Sequence, residues 1–229
     1  MQINPLPWSH LLDKSVTCVV LNATNAALDQ QILAAAPEVE RIAIQHAIPK
    51  RQLEFARGRH CLRQAITLLG YPQTVMPIGT TRQPILPAGT LGSISHCEDY
   101  VVAAAAPIGD LIGLGIDVEK HQPLKPGIEP LILNDREQKH IHQLYAANRF
   151  ATGLYWETLF FSIKESFYKA LFAVHPFYVD FLEAEIQILD AQCFQIQPLI
   201  ELNQLGRRPH IGGYAWDSSY IYCALGILD

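Results

Sequence analysis

Two acids two residues apart, Asp117 and Glu119, close an alternating run, Leu114-Gly115-Ile116-Asp117-Val118-Glu119. Strict alternation of apolar and other residues, here from Leu114 on, is the period of a half-buried strand, and the strand-like run is Leu111–Lys120. Side chains alternate across a pleat, so Leu114, Ile116 and Val118 share one face and Gly115, Asp117 and Glu119 the other. The two carboxylates then stand about 7 Å apart, above a glycine that leaves room for a ligand to approach the backbone. Such a pair suits an oxygen-seeking divalent cation such as magnesium, which takes one or two carboxylates and completes its shell with water and substrate phosphates. The same letters also fit a solvated strand end carrying two surface acids.

A second constellation lies on a helix contained in Thr152–Val174. Phe160, Ile163, Phe167, Ala170, Leu171 and Val174 form an apolar stripe at three-and-four spacing. Opposite it lie Lys164, Glu165, Tyr168 and Lys169. Glu165 and Lys169 are four apart, the favourable order for a surface ion pair worth a few tenths of a kcal/mol. They could equally send Glu165 to a metal or a substrate hydroxyl and the lysines to phosphates.

The third group is basic. Arg51 to Leu69 has helical spacing at Phe55, Cys61 or Leu62, Ala65, Ile66 and Leu69, with Gly70 and Pro72 as the stop. Arg51, Arg57, Arg59 and Arg63, with His60, occupy positions expected to be exposed. This row reads either as a solvated face or as guanidinium groups holding phosphates, for which their fork geometry is suited. Ser95-His96 ends the strand Leu91–Cys97; His96 fits an ordinary turn residue or a phosphate donor beside Ser95. No GxSxG elbow accompanies the pair.

Around these groups the chain reads as mixed helix and strand. Strands are expected at Thr17–Leu21, Leu91–Cys97, Tyr100–Ala106, Glu185–Leu189, Phe194–Ile200 and Tyr214–Leu228. Helices are expected at Leu28–Ala36, Glu38–Ala47 and Asn134–Tyr145. Asp99-Tyr100-Val101-Val102-Ala103-Ala104 echoes Ser219-Tyr220-Ile221-Tyr222-Cys223-Ala224, each following a long helix. The echo suggests two similar subdomains.

Composition bounds the function. With 229 residues, 49% hydrophobic and 17% charged, the chain is globular and large enough for two domains. A net charge of −5 argues against a general nucleic-acid binder. No run of about 18 apolar residues occurs, so no membrane span is expected. The five cysteines are scattered with no CxxC pair, which disfavours a zinc site or a disulfide framework. Met1-Gln2-Ile3-Asn4-Pro5 lacks the basic start and apolar core of a secretion signal, so a cytoplasmic protein is expected.

Three segments together resemble the phosphopantetheinyl transferases of the large, monomeric Sfp type. They are Gly113-Leu114-Gly115-Ile116-Asp117-Val118-Glu119, Phe161-Ser162-Ile163-Lys164-Glu165-Ser166-Phe167-Tyr168-Lys169-Ala170 and Gly92-Ser93-Ile94-Ser95-His96-Cys97. The first two carry GIDxE and KESxxK letters about 45 residues apart. Arg51, Glu54, Phe55, Gly58, Arg59 and Cys61 resemble the RxxEFxxGRxC helix of the enterobactin-synthetase component D branch. The similarity runs from about residue 51 to 190; Ile163 stands where many relatives carry a small residue or methionine.

The resemblance implies an α+β fold (α/β subdomains): a pseudo-dimer of two similar halves, each a small sheet packed on a long helix. Residues 1–112 would form the coenzyme A nucleotide side and residues 113–229 the metal and catalytic side, with the ligand in the cleft between halves. It implies transfer of the 4′-phosphopantetheine arm from coenzyme A to a serine of an apo acyl, aryl or peptidyl carrier protein. Adenosine 3′,5′-bisphosphate would leave. By the same resemblance Asp117, Glu119 and Glu165 hold magnesium, or manganese; Glu165 also deprotonates the serine; and Lys169 assists the departing phosphate, with Lys164 adding charge. Arg51, Arg59, Arg82, Ser95 and His96 would grip the 3′-phosphate and adenine end. A siderophore or other secondary-metabolite synthase is the expected client, and a monomer the expected state. The competing reading is a non-catalytic coenzyme A or nucleotide sensor on the same fold.

Overall fold

The computed structural model describes residues 14–22, 25–72, 75–98, 100–147 and 153–229. The expectations that touch Met1–Pro5, Asp99 and Thr152 lie outside the described residues. Two units divide the chain, Lys14–Asp110 and Leu111–Asp229.

The first unit runs β1 (Thr17–Asn22), α1 (Ala26–Ala35), α2 (Glu38–Ile44), α3 (Pro49–Leu68), β2 (Thr90–Cys97) and β3 (Tyr100–Pro107). Its sheet is antiparallel with order β1-β3-β2. Pro49 presets the first turn of α3. Gly70, at φ +89°, ends the helix: its N–H donates to Thr67 O at 2.9 Å and that of Tyr71 to Ile66 O at 3.3 Å. That reversal needs a left-handed residue, which glycine supplies without a steric penalty. Ala56, Cys61, Leu62, Ala65 and Ile66 of α3 pack with Val19, Leu21, Val101, Ala103 and Ala105 as the core.

The second unit runs β4 (Leu111–Lys120), α4 (Glu129–Ile132), α5 (Asp135–Ala147), α6 (Trp156–Leu171), β5 (Ala184–Ile188), β6 (Cys193–Pro198), β7 (His210–Trp216) and β8 (Tyr220–Leu228). Its antiparallel sheet has order β4-β8-β7-β6-β5. The expected Tyr214–Leu228 stretch is therefore two strands. They are divided at Asp217, whose Oδ1 accepts from the N–H groups of Ser219 at 2.7 Å and Tyr220 at 2.8 Å. Asn134 and Glu137 satisfy each other's backbone N–H at the start of α5, the reciprocal arrangement of a capping box. Trp156, Leu159, Phe160, Ile163, Phe167 and Ala170 carry the buried stripe of α6 into the core of the unit.

The two units share a plan. In each, a first strand (β1, β4) precedes a long helix (α3, α6), and the last strand (β3, β8) lies between that first strand and its hairpin partner (β2, β7). The sequence echo falls on β3 and β8, the strands in equivalent places. Among the described residues, no helix is long and apolar enough to cross a membrane.

Strand β4 departs from the sequence reading in one respect. Gly113 to Val118 are buried on both faces, not one. A Cβ on Gly115 would run into the Ser166 carbonyl, and one on Gly113 into that of Ala170. The space above Gly115 therefore belongs to the backbone of α6 and not to a ligand.

Candidate functional site

Close packing of α6 on β4 has a chemical consequence. Ser162, Glu165 and Lys169 recur at three-and-four spacing, so one face of α6 presents them together. Lys169 Nζ donates to Asp117 Oδ1 at 2.6 Å, and Ser162 Oγ donates to Asp117 Oδ2 at 2.7 Å. Asp117 is only 2% exposed. Directly across the ladder from it is Cys223, whose thiol lies against the Ser162 hydroxyl and is held protonated by complete burial.

Glu119 and Glu165 belong to the same electrostatic neighbourhood. Burial pushes the Glu119 carboxyl up to about 7; Asp117 and Glu165 add to the rise and Lys169 opposes it. Burial also raises Glu165, with Lys169 opposing and Asp117 reinforcing. Like charges held together in a poorly hydrated place disfavour one another's ionised forms. Asp117, Glu119 and Glu165 thus feel one another's charge, with Lys169 as their neighbouring cation.

That donor set fits a hard divalent cation by its chemistry: oxygen ligands only, and more negative charge than one ammonium neutralises. Among the described residues no three His, Cys, Asp or Glu side chains are gathered tightly enough to hold a metal ion. The ammonium of Lys169 sits against the Asp117 oxygen instead.

Lys164 is elsewhere. It is wholly buried, and its ammonium donates at 2.7 Å to each of Glu137 Oε2, Ile132 O and Phe181 O. Burial lowers its pKa, and Glu137 works against that shift. All three donors of the ammonium are engaged, so the expected contact with phosphate is corrected: Lys164 ties α6 to α4, α5 and the turn at Phe181.

The arginine row needs a similar correction. Arg57 is buried and grips Asp29 with two bonds of 2.8 Å. Arg63 holds both oxygens of buried Glu40, at 2.7 and 2.8 Å. Arg59, also buried, donates to Met76 O at 2.9 Å and stacks over the Phe55 ring. Arg51 alone of the four is exposed. Its guanidinium donates to His96 Nε2 at 3.1 Å and to Glu54 at 3.3 Å. Arginine has no acceptor, so this bond makes Nε2 the acceptor and places the ring proton on Nδ1. The structure thus joins Arg51 to His96. Ser95 is buried one residue earlier on β2, and Arg82 is exposed in the loop before it, at φ +68°.

Residues 39–106 match the family model for the 4′-phosphopantetheinyl transferase N-terminal domain, and residues 113–220 that for the 4′-phosphopantetheinyl transferase superfamily. The chain is 35% identical over 191 residues to the 4′-phosphopantetheinyl transferase Svp of Streptomyces mobaraensis, covering 83% of this chain and 76% of that one. It belongs to the 4′-phosphopantetheinyl transferase family. The transferase is also 32% identical over 154 residues to Npt of Nocardia iowensis, covering 67% of this chain and 66% of that one. To enterobactin synthase component D of Escherichia coli K12 it is 36% identical over 131 residues, 56% of this chain and 58% of that one. Members of the family use coenzyme A, act on carrier proteins and in general depend on a divalent metal. The chain is accordingly an enzyme that transfers phosphopantetheine.

Two neighbours of the site escaped the sequence reading. Ser162 stands in the helix segment of the resemblance but is given no role there; its helical spacing from Glu165 and Lys169 is the signal that places it on their face. Cys223 was hidden, because its place opposite Asp117 depends on strand pairing over a hundred residues.

Proposed function

We propose that Asp117, Glu119 and Glu165 of this transferase bind magnesium together with the diphosphate of coenzyme A. Glu165 then takes the proton of the carrier serine. The contact that carries this reading is Lys169 on Asp117, which sets the helix signature against the strand signature. The raised Glu119 and Glu165 carboxyls support it, since their mutual repulsion is what a divalent cation relieves.

The serine oxygen forms a bond to the phosphorus that bears the pantetheine arm. The bond from that phosphorus to the bridging oxygen breaks, and adenosine 3′,5′-bisphosphate leaves with the electron pair. When bound, magnesium neutralises charge on the diphosphate oxygens. Glu165 holds the serine proton, and a carboxyl raised by burial is a better match to neutral-pH base work than an ordinary one. Lys169 supplies positive charge to the leaving phosphate. Arg51 and His96 are the first-unit groups proposed to hold the nucleotide end, with Ser95, Arg59 and Arg82 as further candidates. A siderophore or other secondary-metabolite synthase is the proposed source of the carrier, supported by the resemblance to enterobactin synthase component D.

The test is release of adenosine 3′,5′-bisphosphate from coenzyme A in the presence of an apo carrier domain and magnesium. Stoichiometric release with the carrier, and none without it, is the expected result. Tight coenzyme A binding with no release would identify a sensor instead.

A further inference from the structure

A buried carboxylate that serves a metal through one oxygen is oriented by what holds the other, and here a cation at Oδ1 must displace Lys169 from it. The outer torsion of aspartate is broad and two-fold, so packing alone sets it poorly. In this site the Oδ2 atom of Asp117 accepts the Ser162 hydroxyl at 2.7 Å, while Oδ1 faces the Lys169 ammonium. Ser162 is itself 0% exposed and its hydroxyl has a single proton. A carboxylate cannot return a proton, so that proton points at Asp117.

We propose that Ser162 is a positioning residue: its hydroxyl locks Oδ2 of Asp117 and so presents Oδ1 as the oxygen offered to the metal. The proposal rests on the reading of Asp117 as a metal ligand. Outer-shell partners of ligating carboxylates typically contribute about 10–100-fold in metal affinity. A side chain that only filled space would not change metal affinity in step with the strength of its donor.

Manganese binding to the folded, metal-free protein, followed by electron paramagnetic resonance and without turnover, tests this together with thermal melting. Ser162→Ala is expected to weaken manganese binding about tenfold, and Ser162→Cys, which keeps a weak donor, to fall between Ala and wild type. In turnover, the magnesium needed for half-maximal rate should rise in Ser162→Ala by more than the maximal rate falls. Asp117→Asn is the control: wild-type manganese affinity there would overturn the metal reading itself. Loss in Asp117→Asn with wild-type affinity in Ser162→Ala overturns the positioning role alone. So does a loss in Ser162→Ala that Ser162→Cys does not partly restore.

Discussion

Lys169 Nζ lies 2.6 Å from Asp117 Oδ1, a contact between residues 52 apart in sequence. It joins the two signature segments through a hydrogen-bonded ion pair, beside the Ser162 bond to the same carboxylate, with the lysine part exposed and the aspartate buried. Asp117 therefore has two duties, as acceptor for Lys169 and Ser162 and as proposed ligand. Asp117→Ala should reduce transfer at least about 100-fold, no less than the loss of an outer-shell partner of a metal ligand costs at its upper range, while circular dichroism shows a folded chain. Transfer within threefold of wild type would remove Asp117 from the site.

The raised carboxyl of Glu119 gives a pH prediction with a definite sign. Its folded-state value of about 7 exceeds the ordinary 4.5, so between those values the native protein holds a proton that the unfolded chain has released. Stability contributed by that proton is complete below pH 4.5 and is lost as pH rises through 7. Without divalent metal, the melting temperature should fall across this window; with saturating magnesium the fall should shrink, because the cation stabilises the ionised form. Parallel melting curves with and without magnesium would contradict the convergence of Glu119 on the cation.

Lys164 and Lys169 should separate cleanly. Lys164→Met leaves Glu137 buried without its ammonium, and breaking such a pair costs about 3–5 kcal/mol. Denaturant midpoints should show that loss, while the folded fraction keeps its KM for coenzyme A. A raised KM with unchanged stability would return Lys164 to the ligand.

Arg51 and His96 make the corresponding prediction for the first unit. A hydrogen bond to a charged group is worth about 1.5–3 kcal/mol, so His96→Ala should raise the KM for coenzyme A roughly tenfold or more and lower kcat much less. Steady-state kinetics over coenzyme A concentration decide it. If only kcat falls, His96 belongs to the chemistry.

Strand β4 and helix α6 were legible because their periods are strong and their motifs stand on them. The partners were harder to read. Arg57 and Arg63 looked like an exposed row because helical spacing says which residues share a face, not what packs on it. Their acids, Asp29 and Glu40, lie 28 and 23 residues earlier. Lys164 lies opposite the apolar stripe and so reads as available to phosphate, yet α5 covers it through Glu137, 27 residues earlier, and α4 through Ile132 O. Gly115 reads as an opening for a ligand because sequence shows a missing side chain but not the helix that fills its place. Each misreading concerns a contact made by a distant element, whereas each correct reading rests on a local period or a motif carried by one.

The most direct measurement is the intact mass of an apo carrier domain after incubation with coenzyme A and this enzyme, as magnesium is titrated. Wild type should add one phosphopantetheine arm in a magnesium-dependent way. Glu165→Gln should add almost none at any magnesium concentration. Full modification by Glu165→Gln, or by wild type in excess chelator, would contradict a shared cation site built from Asp117, Glu119 and Glu165.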